Sequence, residues 1–257
     1  IPVHFAGQSC DMQKIHSLSK EYGFKIIEDA SHAIGGKYLD QPIGGCQYSD
    51  ITVFSFHPVK IITTAEGGLA TTNDKELLTR MQLFRSHGVT HDPKLMSKET
   101  KGGWYYQQVE LGFNYRMTEL QAALGISQME RLDGFVTVRH QHQIRYDELL
   151  KDLSITTPCQ DLNSYSALHL YPIKIQIDKV KSTRKEIFEA LRKNDIGVNV
   201  HYIPVHTQPY YENMGFRKGD FPNAENYYES TISIPMFQGL TIEMQDKVVN
   251  VLKKVLV

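Results

Sequence analysis

At 257 residues, 41% of them hydrophobic, the chain has enough apolar material for one large domain or two modest ones, and 28 basic against 29 acidic residues leave no single-signed surface for tracking nucleic-acid phosphates. No apolar run reaches the roughly 18 to 20 residues of a membrane helix, and no signal peptide opens the chain. Cys10, Cys46 and Cys159 stand far apart with no CxxC pair, which argues against a zinc site or a disulfide framework and fits a reduced cytoplasm.

Ile1 to Gly7 reads as a strand feeding a helix, as though the chain opened in the middle of a domain. Gln8 to Tyr22 carries Met12, Ile15, Leu18 and Tyr22 at helical spacing and runs into Gly23, a natural C′ residue. Phe24 to Glu28 is a strand that leads into Asp29 and the small residues around Ala30 to Gly36. This strand, helix, strand alternation predicts parallel pairing with crossover helices, and ligands in such sheets collect at the carboxyl ends of strands. Tyr38 to Gly45 is turn-rich and predicts a short hairpin. Ile51 to Phe56 is apolar, β-branched or aromatic apart from Thr52 and Ser55, as a buried strand is. Pro58 stops it, because proline brings no N–H to a ladder. Lys60 follows on a short loop, and Gly67-Gly68 permit a tight turn into a second strand, Leu69 to Thr72.

Glu76 to Phe84 has a helical period. Val89 to Gly112 is polar and irregular, and for its aromatic cluster, Trp104, Tyr105 and Tyr106, loop packing, nucleotide stacking and dimer contact all stay open. Thr118 and Gln121 form a capping box for a long helix that should bend near Gly134 and run on towards Leu150. The domain boundary falls along it, giving residues 1–127 and 128–257. The second unit reads as a smaller α/β domain: strand Leu168 to Ile177, helix Thr183 to Asn194 and strand Val198 to Tyr202, then a proline- and aromatic-rich loop to Phe221, strand Ile232 to Ile234 and a final helix from Thr241 to Val255.

Lys60 alone could be an ordinary solvated cation, and Asp29 a turn or capping residue. Together they are the two groups that pyridoxal phosphate chemistry requires of a protein: an amine to form a Schiff base and a carboxylate to pair with the pyridine nitrogen. His140 and His142 lie two apart on a helix and do not face each other, so they predict no metal site. No G-x-G-x-x-G follows a strand, which disfavours a Rossmann dehydrogenase.

Four stretches in this order, Glu28-Asp29-Ala30-Ser31-His32-Ala33, Ser55-Phe56-His57-Pro58-Val59-Lys60, Glu66-Gly67-Gly68 and Gly112-Phe113-Asn114-Tyr115-Arg116-Met117-Thr118, resemble the DegT/StrS-type nucleotide-sugar aminotransferases. The resemblance covers nearly the whole chain. It implies an α/β, fold-type-I enzyme dependent on pyridoxal 5′-phosphate, with a mostly parallel central sheet, flanking helices and a smaller C-terminal α/β domain. Residues 1–127 would be the C-terminal portion of the large cofactor-binding domain. Family members carry a further N-terminal portion whose small-residue loops hold the cofactor phosphate, and no such loop is visible here.

By the same resemblance Lys60 would carry the cofactor and shuttle the proton, while Asp29 would keep the pyridine nitrogen protonated. Ser55 would bond the cofactor phosphate, and His32 would sit near the phenolic oxygen, where the family often has glutamine. Asn114 would reach the phosphate of the neighbouring subunit, making a homodimer with shared active sites, and His201 is similar to a histidine that contacts the sugar across that dimer. The family usually has glycine where this chain has Ala65, which constrains that loop. The expected reaction passes an amine from L-glutamate, by way of the cofactor, to C4 of a UDP-linked 4-keto-6-deoxy-N-acetylhexosamine, in the cytoplasm and without nucleic-acid or membrane partners. Another nucleotide-linked keto sugar, or a non-catalytic sugar-nucleotide-binding protein on the same fold, stays open. Related dehydratases have histidine at the lysine position, so Lys60 argues against them.

Overall fold

In chain order the first half of the computed structural model, which describes residues 1–256, runs α1 (Met12–Tyr22), β1 (Ile27–Asp29), a hairpin of β2 (Lys37–Tyr38) and β3 (Gln41–Pro42), β4 (Ile51–Ser55), β5 (Gly68–Thr71), α2 (Lys75–Arg85), a hairpin of β6 (Val89–Thr90) and β7 (Gln107–Gln108), and α3 (Glu119–Met129). The second half runs α4 (Leu132–Leu150), β8 (Ile155–Thr156), β9 (Ser164–Tyr165), β10 (Tyr171–Ile175), α5 (Arg184–Lys193), α6 (Pro209–Glu212), α7 (Pro222–Ser230), β11 (Thr231–Ile234) and α8 (Ile242–Val255).

α1 starts where the Asp11 side chain accepts the Lys14 N–H, four residues later than its period suggests, because Phe5–Gly7 is a 3-10 turn. It ends at Gly23, whose φ of 72° lets its N–H reach the Ser19 carbonyl. β1 starts at Ile27 rather than Phe24, since the Ile26 amide is taken by the Asp50 carboxylate at 2.8 Å before the ladder begins. β1 and β4 pair in parallel, Ile27 opposite Ile51, and Val3 bridges Asp29 in parallel, so α1 is the crossover between two parallel segments. β5 turns back antiparallel on β4, with Ser55 opposite Gly68.

The helix expected to bend near Gly134 instead breaks at Glu130 and Arg131, between α3 and α4, and Gly134 lies inside α4. Both expected capping boxes form, Thr118 with Gln121 and Thr183 with Glu186. The expected strand Val198 to Tyr202 does not form: Asn199 makes a single bridge to Ser233, and its side chain takes the Val200 amide at 2.8 Å. α7 is a helix inside a stretch with no strong apolar period, opened by Pro222 at its first turn.

In the second half a three-stranded antiparallel sheet, ordered β11-β10-β8, packs against α4, α5 and α8 around Tyr171, Ile173, Ile187, Leu191, Ile232 and Leu252, none more than 2% exposed. A separate first-half cluster holds Ala30, Ala33, Phe54, Phe56, Ile61 and Ile62. α4 belongs to both: Leu132 and Val136 join the first-half cluster, and Tyr146 and Leu150 the second. The halves are also sewn together near the N-terminus, where the Ala167 N–H donates to the Gly7 carbonyl at 2.9 Å and the Leu170 N–H to that of Ala6 at 3.3 Å. Gly7 has φ 107°, and a Cβ there would lie 2.6 Å from the Leu168 nitrogen, so only glycine allows this approach.

Candidate active site

Asp29 ends β1 and Ser55 ends β4, so the parallel pairing of these strands sets both side chains at the carboxyl edge of one sheet. The chain then loops through Lys60 and returns: the Thr64 N–H donates to the Phe56 carbonyl at 3.0 Å, Thr63 Oγ1 to the same carbonyl at 2.9 Å, and the Lys60 N–H to the His57 carbonyl at 2.9 Å. Ile61 and Ile62 bury into the first-half cluster and pin the loop from below. Ala65 closes it at φ 65°, a left-handed conformation that costs a residue with a Cβ about 1 kcal/mol.

Lys60 is half-buried. Burial holds its amine below the ordinary lysine range, and the Asp29 carboxylate pulls the other way. The two sense each other's charge without forming an ion pair among the described residues, so both stay free for a ligand. The Asp29 carboxylate accepts the Ser31 N–H on Oδ1 at 3.0 Å, its one hydrogen bond among the described residues. His32 is buried, and its Nδ1 accepts the Ala6 N–H at 3.3 Å. Burial first, then the charges of Lys60 and His201, push its pKa down to about 4 against the pull of Asp29. At neutral pH this imidazole is uncharged, and since Nδ1 accepts, Nε2 carries the proton. His201 shares a hydrogen bond with Ser233 Oγ at 2.8 Å, and burial followed by the Lys60 charge lowers its pKa too.

The structure therefore brings Lys60, Asp29, His32 and His201 together, the last from the second half of the chain. Ser55 stands at the strand end beside them, with its Oγ accepting the His57 N–H at 3.4 Å. Asn114 is exposed on a different segment, bridged to Ser86, and no contact joins it to this cluster among the described residues. Leu111, Phe113, Tyr115 and Leu120 stand exposed around it. His140 caps the Ser166 carbonyl at 2.8 Å and stacks on Tyr165. Trp104 is largely exposed.

Four residues near the cluster, Phe5, Tyr202, Tyr227 and His169, escaped the sequence reading. Phe5 packs on His32, Tyr202 and Tyr227 with ring centroids 5.9, 6.4 and 6.0 Å away, and Tyr202 also meets the His201 ring edge-on. His169 lies against His32. The signal for His169 was a histidine inside an otherwise apolar run, Ala167 to Tyr171, the place where an imidazole is hardest to keep without purpose.

The amine, carboxylate, hydroxyl and uncharged imidazole gathered here are the donor set a pyridoxal phosphate site needs, and the chain belongs to the DegT/DnrJ/EryC1/StrS aminotransferase family, whose model matches residues 1–253. Among its relatives is a Campylobacter jejuni protein named UDP-4-amino-4,6-dideoxy-N-acetyl-beta-L-altrosamine transaminase, 36% identical over 98% of this chain and 65% of the relative. Helicobacter pylori PseC, described as an aminotransferase involved in the biosynthesis of pseudoaminic acid, superposes with a TM-score of 0.89 at 33% identity, over 99% of this chain and 65% of that one. The PLP form of Streptococcus pneumoniae Spr1654, a putative sugar aminotransferase, superposes at 0.86 with 29% identity, over 100% of this chain and 68% of that one. The chain spans 66% of the length of two further curated relatives, so it matches about two thirds of what such proteins contain. Among the described residues no helix is long and apolar enough to cross a membrane.

Proposed function

We propose that this chain carries the catalytic lysine of an aminotransferase for a nucleotide-linked keto sugar, with L-glutamate as donor and a UDP-linked 4-keto-6-deoxy-N-acetylhexosamine as acceptor, in pseudaminic-acid-type glycan precursor synthesis. The observation that carries the reading is Lys60, an amine with a lowered pKa on a braced loop, within the field of a carboxylate that keeps an unused oxygen. When bound, pyridoxal phosphate supplies an electron sink that lets a C–N bond be broken on the donor and formed on the ketone.

The chain's own residues do the rest. Lys60 Nζ would attach the cofactor and afterwards take and return the proton that moves during transamination, a role its lowered pKa favours. Asp29 would accept the N–H of the cofactor's ring, an interaction worth roughly 1.5 to 3 kcal/mol for a charged pair. Ser55 Oγ would donate to the cofactor phosphate, and His32 would offer its Nε2–H to the phenolic oxygen. His201 contacts the sugar, and Asn114 reaches the phosphate of a neighbouring subunit in a homodimer, which gives its exposed apolar surroundings a partner. Residues 1–127 form part of the large domain and 128–257 the small one, with α4 shared at the seam. The place of work is the cytoplasm.

Visible absorbance tests the reading. With pyridoxal phosphate the full chain should show a band that glutamate bleaches and the UDP-linked keto sugar restores, and Lys60→Ala should lose the cycle and at least about 100-fold in turnover. A band indifferent to glutamate would leave a sugar-nucleotide-binding protein instead.

A further inference from the structure

His169 is a buried histidine beside the site that this mechanism does not use. Its ring lies 4.4 Å from that of His32 at an interplanar angle of 47°, it is 6% exposed, and its Nδ1 is buried without a hydrogen-bond partner among the described residues. The backbone on both sides of the pair is bent into conformations that residues with a Cβ rarely adopt. Ala6, whose N–H donates to His32 Nδ1, has φ 58°, and Leu168, which precedes His169, has φ 50°. Strain of this kind persists only where the surroundings over-determine it, and it concentrates at working sites.

What over-determines it here is visible. Ala6 and Gly7 are bonded to Leu170 and Ala167, so the residues flanking the two histidines form one strap. Arg139 fastens that strap from behind: it is 3% exposed, and its Nη1 donates to the carbonyls of Leu168, His169 and Met236 at 3.0, 3.4 and 2.8 Å. Arg139 has no carboxylate partner among the described residues, so its positive charge acts on its neighbours. Burial first, then the charges of His32, Lys60, Arg139 and His201, push the His169 pKa down to about 2. His169 is therefore a neutral flat ring lying against the imidazole of the site, with the buried Arg139 cation bonded to its backbone carbonyl.

We infer that His169 is a positioning residue for His32, holding that ring in the plane in which its Nδ1 accepts the Ala6 N–H, so that Nε2–H is the proton offered to a ligand. The inference rests on the placement of His32 in the proposed cofactor site, but it concerns a property His32 has before any cofactor binds. Asp29, Lys60 and His201 act on the pair from the open side and Arg139 from the buried side.

The test reads the imidazole nitrogens directly. In the full chain without pyridoxal phosphate, labelled with 15N-histidine, long-range proton–nitrogen spectra report tautomer and titration for each ring, with His32 assigned by its loss in His32→Gln. His32 should be a single Nε2–H tautomer across pH 5 to 8. His169→Phe, which keeps a flat ring, should preserve that signature. His169→Leu, which fills similar space with no flat face, should give mixed tautomers and a weaker hold on pyridoxal phosphate of about tenfold in Kd. A His32 signature unchanged in His169→Leu, or disturbed equally by His169→Phe, overturns the inference. An absorbance band that never forms in the parent chain overturns the cofactor reading while leaving the nitrogen spectra to decide the role of His169.

Discussion

Glu28 and Asp29 are consecutive residues of β1 that face opposite sides of its sheet, and the chain treats them in opposite ways. Glu28, 6% exposed, is surrounded: His4 Nε2 meets Oε2 at 2.6 Å, Thr52 Oγ1 donates to Oε1 at 3.1 Å, and Ser49 Oγ donates to the same oxygen. His4 Nδ1 accepts the Cys10 N–H at 3.1 Å, so Nε2 is the donor towards Glu28. Burial alone would raise the Glu28 pKa, but the hydrogen bonds from His4, Ser49 and Thr52 outweigh it and leave the carboxyl below its usual range. Asp29 receives one backbone N–H. A carboxylate whose acceptors are all filled by its own chain builds the fold, whereas one left with spare acceptors is available to something else. The histidines follow the same rule: His4 and His206 are paired with Glu28 and Glu225, whereas His32, His169 and His201 have no carboxylate hydrogen bond among the described residues.

That contrast is breakable. Asp29→Asn should lower turnover by about 100- to 10,000-fold while leaving the thermal midpoint within a degree or two, measured by kinetics and by melts on one preparation. A large drop in midpoint would place Asp29 with Glu28 as a structural carboxylate. Glu28→Gln should do the reverse. Its amide must turn an N–H towards either the His4 donor or the hydroxyl donors, and a buried unsatisfied group costs about 1 to 3 kcal/mol. Denaturant titration should show that loss with turnover of the folded protein nearly unchanged.

Acid separates the two faces further. Free histidines protonate near pH 6.5, whereas folded His32 does so near 4 and His169 near 2. Between 6.5 and 4 the unfolded chain therefore binds more protons, and stability should fall as pH falls through that window. A second loss belongs to Glu28. Its stabilisation is complete above the ordinary carboxylate pKa and disappears as pH drops through its lowered folded value, so Glu28→Gln should show the first loss in full and a smaller second one. The smallest effect is Ser49→Ala, which removes one donor at the edge of the network and should cost about 1 kcal/mol in the same titration.

Much of this arrangement was legible beforehand because it rests on local chemistry. The run Ile51 to Phe56 with Pro58 behind it located β4 to within a residue, Gly23 ended α1, and the two capping boxes marked α3 and α5. Asp29 and Lys60 were findable because parallel pairing puts strand ends on one edge. What escaped depends on partners distant in sequence. Val198 to Tyr202 has strand-like residues, but only Asn199 bridges β11, and its side chain competes for the next amide. α7 carries no strong apolar stripe, so Pro222 was its clearest sign. The α3–α4 break carries no glycine or proline, and Gly134, the residue that suggested a bend, has open space around it inside α4. His169 gains its meaning from His32 and Arg139, and neither neighbour is near it in the chain.

The close approach of Gly7 to Leu168 also fixes an order of events during synthesis. The strap above His32 is made of residues on both sides of that contact, so it cannot close until the chain has been translated past Leu170. At about 5 to 20 residues per second, the nascent first half waits on the order of ten seconds with Lys60 and Asp29 already made and His32 still unrestrained. Any small molecule gripped by all three is therefore captured only by a chain that already includes Leu170, and not by the first half alone.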